Sequence, residues 1–193
     1  MINHCLSGLG IALITPFLSN GEVDYNSLAQ LVEQQIADGT DYLVVLGTTA
    51  EAVTLSDEEK QKVIQTIIAQ TAKRVPLVLG LGGNCTKTVV ERISNTDLAD
   101  FAAILSVCPY YNKPNQEGLF QHFAARAQAS PIPVILYNVP GRTGVNLLPQ
   151  TVIRLKKAFP DNILGIKEAS GNIEQIQTLI RLREEDVDTR NLL

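Results

Sequence analysis

The sequence predicts an α/β fold built on parallel strands, and three observations lead to it. Short β-branched runs alternate with longer helical patterns along nearly the whole chain. Each run is almost continuously apolar instead of alternating with polar residues, which is the pattern of strands covered on both faces. The runs begin at residues 8, 41, 76, 102, 133 and 163, on average 31 residues apart. Eight units of that size fill the roughly 250 residues of a closed (β/α)8 barrel. An open doubly wound sheet can also be built from six such units, so the count leaves both architectures standing.

Taken in order, the first run is Gly8–Pro16 (GLGIALITP), followed by a helical segment near Ser27–Asp38. The second, Asp41–Gly47 (DYLVVLG), leads to a helix over Asp57–Ala72, whose start is marked by Ser56 as a cap and three acids behind it. Pro76–Gly82 (PLVLGLG) precedes Thr86–Asn95, and Ala102–Pro109 (AAILSVCP) precedes Gln116–Ala129. Pro133–Pro140 (PVILYNVP) precedes Pro149–Ala158, with Pro149 where a first helical residue belongs. Ile163–Ser170 (ILGIKEAS) is the sixth run, and Ile173–Leu182 its helix. The tail 183–193 (REEDVDTRNLL) is charged and offers no seventh strand. No linker or low-complexity segment interrupts the chain, so the reading is one domain, residues 1–182, with an atypical tail.

Composition narrows the function. Of the 193 residues 45% are hydrophobic and 19% charged, and mean hydropathy is +0.09, which excludes a disordered chain. A net charge of −4 without a Lys/Arg run argues against nucleic acid or an acidic membrane surface as partner. No apolar stretch approaches a membrane span, and MINHCLSG is not a secretory leader. Cys5, Cys85 and Cys108 are widely spaced and read as reduced thiols of a cytoplasmic protein. With only His4 and His122, chemistry that needs a histidine cluster is out, and no metal-ligand constellation is visible in the sequence.

In a parallel α/β fold the chemistry sits in the loops after the strands. There the sequence places Thr48-Thr49, Tyr110-Tyr111, Tyr137, Arg142 and Lys167. Lys167 is the only lysine inside an apolar strand. A buried ammonium either pairs or loses its proton, and a neutral lysine is the nucleophile of Schiff-base catalysis. The plainer alternative is a strand-end lysine that snorkels or pairs with Glu168. Tyr137 offers a hydroxyl that could relay protons, or is a core tyrosine. Thr48 and Thr49 offer hydroxyls to a carboxylate, or simply begin a loop. Arg142 could grip a carboxylate bidentately, or be a solvated turn residue. Gly80-Leu81-Gly82-Gly83 lacks the spacing of a phosphate loop.

GTTAE (47–51), PYYNKP (109–114), YNVPGRTG (137–144) and GIKEASGN (165–172), in this order, resemble the dihydrodipicolinate synthase / N-acetylneuraminate lyase family of Schiff-base aldolases. The resemblance covers roughly residues 8–182 and implies the barrel, about six of whose βα units are present. It implies that Lys167 forms an imine with pyruvate and that Tyr137 carries protons, linked through Thr48 to Tyr111. In the family that last residue reaches into a neighbouring subunit, so a homo-oligomer, a dimer or dimer of dimers, is implied. Thr49 would hold the pyruvate carboxylate, and Arg142 that of aspartate semialdehyde. Arg142 makes the chain most similar to members that condense those two substrates, rather than to the sialic acid lyases. No cofactor is implied, because the imine itself is the electron sink. Another pyruvate aldolase, a non-catalytic remnant and an unrelated doubly wound binding domain are the alternatives.

The departures matter as well. Ala50 stands where the family has glycine, a small change if its φ is negative. At positions matching the lysine-feedback site stand Ala52, Asp57, Lys60 and Thr88, with Asn84 retained, which predicts weak or absent inhibition by lysine. Two further βα units, beginning with a seventh strand near residue 188, are expected of the family. Their absence predicts open edges on the first and sixth strands. It predicts a fragment, a truncated product or a chain completed by another copy, with impaired stability and activity.

Overall fold

A computed structural model describes residues 6–185; His4, Cys5 and most of the charged tail lie outside the described residues. The chain divides into two compact units, one running to Gly80 and including Ala99–Ala102, the other comprising Leu81–Leu98 and the residues from Ala103 onward.

In the first unit, β1 (Gly10–Ala12), β2 (Tyr42–Val45) and β3 (Leu77–Gly80) form a parallel ladder in that order, with Ile11 opposite Leu43 and Leu43 opposite Leu77. Each strand is shorter than its apolar run, because apolarity follows burial while the ladder requires a partner for each amide. Helix α1 (Tyr25–Ala37) starts two residues earlier than the sequence predicts. Asp24 is its cap: the carboxylate accepts from the amides of Asn26 and Ser27 and from the Ser27 hydroxyl. Helix α2 (Asp57–Thr71) starts as predicted at Ser56, which exchanges capping hydrogen bonds with Glu59. Leu28 and Val32 of α1, with Val63 and Ile67 of α2, are buried. The half-exposed pair between Arg74 and Glu33, 2.6 Å at its closest, adds at most about 1 kcal/mol. Burial of one leucine gives about 1.5–3 kcal/mol, so apolar packing dominates.

In the second unit, β4 (Ala103–Val107), β5 (Val134–Asn138) and β6 (Ile163–Glu168) are likewise parallel, and β5 pairs with both others. The register of β5 and β6 shifts once, at Val134/Ile135, after which Tyr137 lies opposite Lys167 and Asn138 opposite Glu168. Helices α3 (Thr86–Asn95), α4 (Gln116–Ala129) and α6 (Pro149–Ala158) have the bounds the sequence predicts, with Pro149 at the first turn. Helix α7 (Ile173–Glu185) continues three residues past its predicted end. The core gathers Cys108, Leu119, Phe123, Leu136, Leu147 and Leu155. Two short segments have no counterpart in the sequence reading: a single 3-10 turn at Thr48–Ala50 in the first unit, and α5 (Pro140–Thr143). Both sit in loops that follow strands. Among the described residues no helix is long and apolar enough to cross a membrane.

Candidate active site

The carboxyl ends of β5 and β6 bring two predicted site residues together. Side chains alternate along a strand, so register partners share a face. Tyr137 and Lys167 are such partners, and the Lys167 ammonium lies 4.5 Å from the centroid of the Tyr137 ring, within cation–π range. Tyr137 is buried.

Lys167, in contrast, is exposed, which corrects the sequence-based picture of a buried ammonium. The apolar run ILGI is buried through Gly165, but the strand emerges before the lysine, and among the described residues β6 pairs only with β5. The alternative of a Lys167–Glu168 pair also falls. Glu168 points to the opposite face, where its carboxylate accepts from Asn138 Nδ2 at 2.9 Å, Gln175 Nε2 at 2.8 Å and the Ser170 amide at 2.7 Å.

Arg142 is exposed in α5, a single helical turn begun by Pro140 and closed by Gly144 in the left-handed region at φ +72°. A Cβ on Gly144 would lie 2.8 Å from Lys113 Cε. The lysine side chain therefore crosses the turn that carries Arg142, a second cation there that the sequence reading did not single out.

Tyr111 is 89% exposed with φ +73°, and Lys113 has φ +46°. Two non-glycine residues in the left-handed region within three positions cost of order 1–3 kcal/mol each, a concentration of backbone strain found at functional loops. In the first unit Thr48 and Thr49 are exposed on their 3-10 turn, flanked by Leu46 at φ +53° and Glu51 at φ +54°. The buried Ala50 is not among the positive-φ residues, so its methyl group is accommodated, and its carbonyl accepts from Thr15 Oγ1 at 2.7 Å.

Beneath the site in the second unit lies a cluster that sequence reasoning missed. Arg126 is fully buried on α4 and donates to the Ser106 hydroxyl, to the Val107 carbonyl at 3.0 Å and to the Gly83 carbonyl at 2.7 Å. Burial, reinforced by the charge of Arg126, lowers the His122 imidazole to about 3, so it is neutral. Its Nδ1 lies 2.6 Å from Thr86 Oγ1. Burial pushes the Cys108 thiol up to about 12, which makes it inert as a nucleophile. The only signal in sequence was an arginine and a histidine four apart on a helix.

Comparison with known proteins gives a consistent result. The profile of the Dihydrodipicolinate synthetase family matches residues 5–188. The 4-hydroxy-tetrahydrodipicolinate synthase of Flavobacterium psychrophilum is 56% identical over 179 residues, 93% of this chain and 61% of the relative. Among solved structures, the chloride-inhibited dihydrodipicolinate synthase of Acinetobacter baumannii complexed with pyruvate superimposes with a TM-score of 0.87 at 46% identity. It covers 92% of this chain and 60% of that one. A chain described as the first monomeric dihydrodipicolinate synthase variant gives a TM-score of 0.91 at 36% identity, covering 99% of this chain and 62% of that one. The chain spans 59% to 63% of the length of the first three curated relatives it matches.

Proposed function

The chain belongs to the Dihydrodipicolinate synthetase family, and from that premise we propose that it condenses pyruvate with L-aspartate 4-semialdehyde through a Schiff base on Lys167, as a 4-hydroxy-tetrahydrodipicolinate synthase. Its fold is α/β, with six βα units of a (β/α)8-type barrel. The observation that carries the reading is Lys167 Nζ above the ring of its register partner Tyr137.

The chemistry follows from those two side chains. The Lys167 amine adds to the pyruvate C2 carbonyl, and loss of water from the carbinolamine gives the imine. Removal of a C3 proton gives an enamine, whose C3 attacks the aldehyde carbon of the semialdehyde and leaves an alkoxide that takes up a proton. The semialdehyde's own amine then displaces Lys167 from C2 and closes the ring, so the two substrates combine with net loss of one water. Each proton needs a carrier beside Nζ, and the Tyr137 hydroxyl fills that role. Thr48 and Tyr111 extend the proton path, Thr49 binds the pyruvate carboxylate and Arg142 that of the semialdehyde, roles taken from the family resemblance. The exposure of Arg142 and the Lys113 side chain across its turn favour an acidic second substrate. The exposed, strained Tyr111 supports a homo-oligomer in which it meets another subunit. Free thiols at Cys85 and Cys108 support a cytoplasmic setting.

Incubation with both substrates, followed by mass spectrometry of the small molecules, tests the reaction. The expected product has the summed mass of the two less one water. Consumption of pyruvate with another aldehyde but not with the semialdehyde would overturn the assignment in favour of a different aldolase.

A further inference from the structure

The face of β5 and β6 opposite Lys167 carries a closed polar network that the reaction does not use. Asn138 is fully buried at the end of β5. Its Oδ1 accepts the Leu147 amide at 2.9 Å, which fixes its orientation, so Nδ2 must face the acceptors. Those are Glu168, at 2.9 and 3.2 Å to its two oxygens, and Asn146 Oδ1 at 2.8 Å. Gln175 Nε2 donates to Glu168 at 2.8 Å and to Asn146 at 3.1 Å, and its Oε1 accepts from Asn146 at 2.8 Å. The Ser170 amide completes the set on Glu168. Every donor to the carboxylate is an amide.

Asn138 and Glu168 are register partners one residue beyond Tyr137 and Lys167. A one-residue slip of β6 would send Lys167 to the opposite face. The pairing already shifts once, at Val134/Ile135, so the register at the end of the ladder differs by one residue from the register with which it begins. We propose that the Asn138–Glu168 pair, closed by Gln175 and Asn146, is a register lock that holds Lys167 over Tyr137, making Asn138 and Glu168 positioning residues for imine formation. The inference rests on the Schiff-base reading of Lys167 for its functional meaning and on the strand geometry alone for the lock.

The test is a swap in the full chain. Asn138→Asp sets carboxylate against carboxylate, Glu168→Gln sets amide against amide, and the double variant restores one amide–carboxylate pair. Two readouts are taken: the rate of borohydride-trapped pyruvate adduct at saturating pyruvate, and the NMR shift of the Lys167 ε-methylene, assigned with Lys167→Arg, which the Tyr137 ring current displaces. Each folded single variant loses roughly tenfold or more in trapping rate, since misplacement by an ångström costs about that or more. Pyruvate half-saturation stays nearly constant, and the ε-methylene moves toward its position in free lysine. The double variant recovers both readouts. Gln175→Met, which at similar volume removes one of the donors to Glu168 together with the bonds between Gln175 and Asn146, gives a partial displacement and serves where the single variants do not fold. An ε-methylene unmoved in the folded variants, or a double variant that regains its melting temperature without either readout, overturns the lock. Absence of adduct in the unsubstituted chain defeats the Schiff-base reading instead, while the ε-methylene shift still decides the lock.

Discussion

Lys167 Nζ stands 4.5 Å from the centroid of the Tyr137 ring, and the two residues are partners across the β5–β6 ladder. Backbone pairing, not a hydrogen bond between these two side chains, sets this relationship. The amine is thereby held over the aromatic ring while it remains exposed.

Tyr137→Phe separates ring from hydroxyl. Phenylalanine retains the face beneath Lys167 and removes the proton carrier. The expected outcome is a fall of about a hundredfold in the rate of imine formation, with melting temperature nearly unchanged. Quench-flow trapping with borohydride measures it, and a wild-type rate would remove Tyr137 from the proton path.

Arg142→Ala tests the second substrate. The side chain is exposed, so stability should change by no more than about 0.5 kcal/mol. Loss of an ionic hydrogen bond worth about 1.5–3 kcal/mol raises the semialdehyde KM roughly ten- to a hundredfold. Pyruvate trapping in the absence of semialdehyde should be unaffected. Steady-state kinetics with each substrate varied in turn gives the split, and an equal loss in both would place Arg142 elsewhere in the mechanism.

Most of the fold was legible because each cue had a local cause. Continuous apolar runs located the six strands of the described residues, and Ser56 and Pro149 marked helix starts through their own backbone chemistry. What was illegible depends on partners distant in sequence. The exposure of Lys167 follows from where β6 emerges, which the apolar run ILGI does not record. Asn138 looks like the start of a loop until Leu147, Glu168 and Asn146 are seen around it. Arg126, inside a helix of mixed polarity, gave no sign that its guanidinium would serve carbonyls at Gly83 and Val107.

His122 gives the chain an acid-sensitive core. Its folded value of about 3 lies below the ordinary 6.5, so between those limits the unfolded chain binds a proton that the folded chain does not. Stability therefore rises with pH across the window and falls on acidification, by up to about 1.4 kcal/mol per pH unit. Glu33, lowered to about 2 by its hydrogen bonds from Arg74, loses stability only below its ordinary 4.5. The interval between 4.5 and 6.5 thus isolates the histidine from that pair. Urea melts there should show a slope that His122→Asn flattens, and an identical slope in both chains would contradict the assignment.

Lysine should not regulate this chain. Asp57 and Lys60, two of the positions matching the feedback site, lie 3.0 Å apart in an ion pair with each other. Ala52 and Thr88 supply no charge for an amino acid. Sub-millimolar L-lysine is expected to leave pyruvate trapping and turnover unchanged, and inhibition in that range would show that another set of residues binds it.

The most direct measurement is an intact mass of the purified chain after incubation with pyruvate and borohydride, beside Lys167→Ala, with circular dichroism confirming that both are folded. One reduced pyruvate unit per chain is expected in the first and none in the second. A folded chain without the adduct, or an adduct that persists in Lys167→Ala, would contradict it.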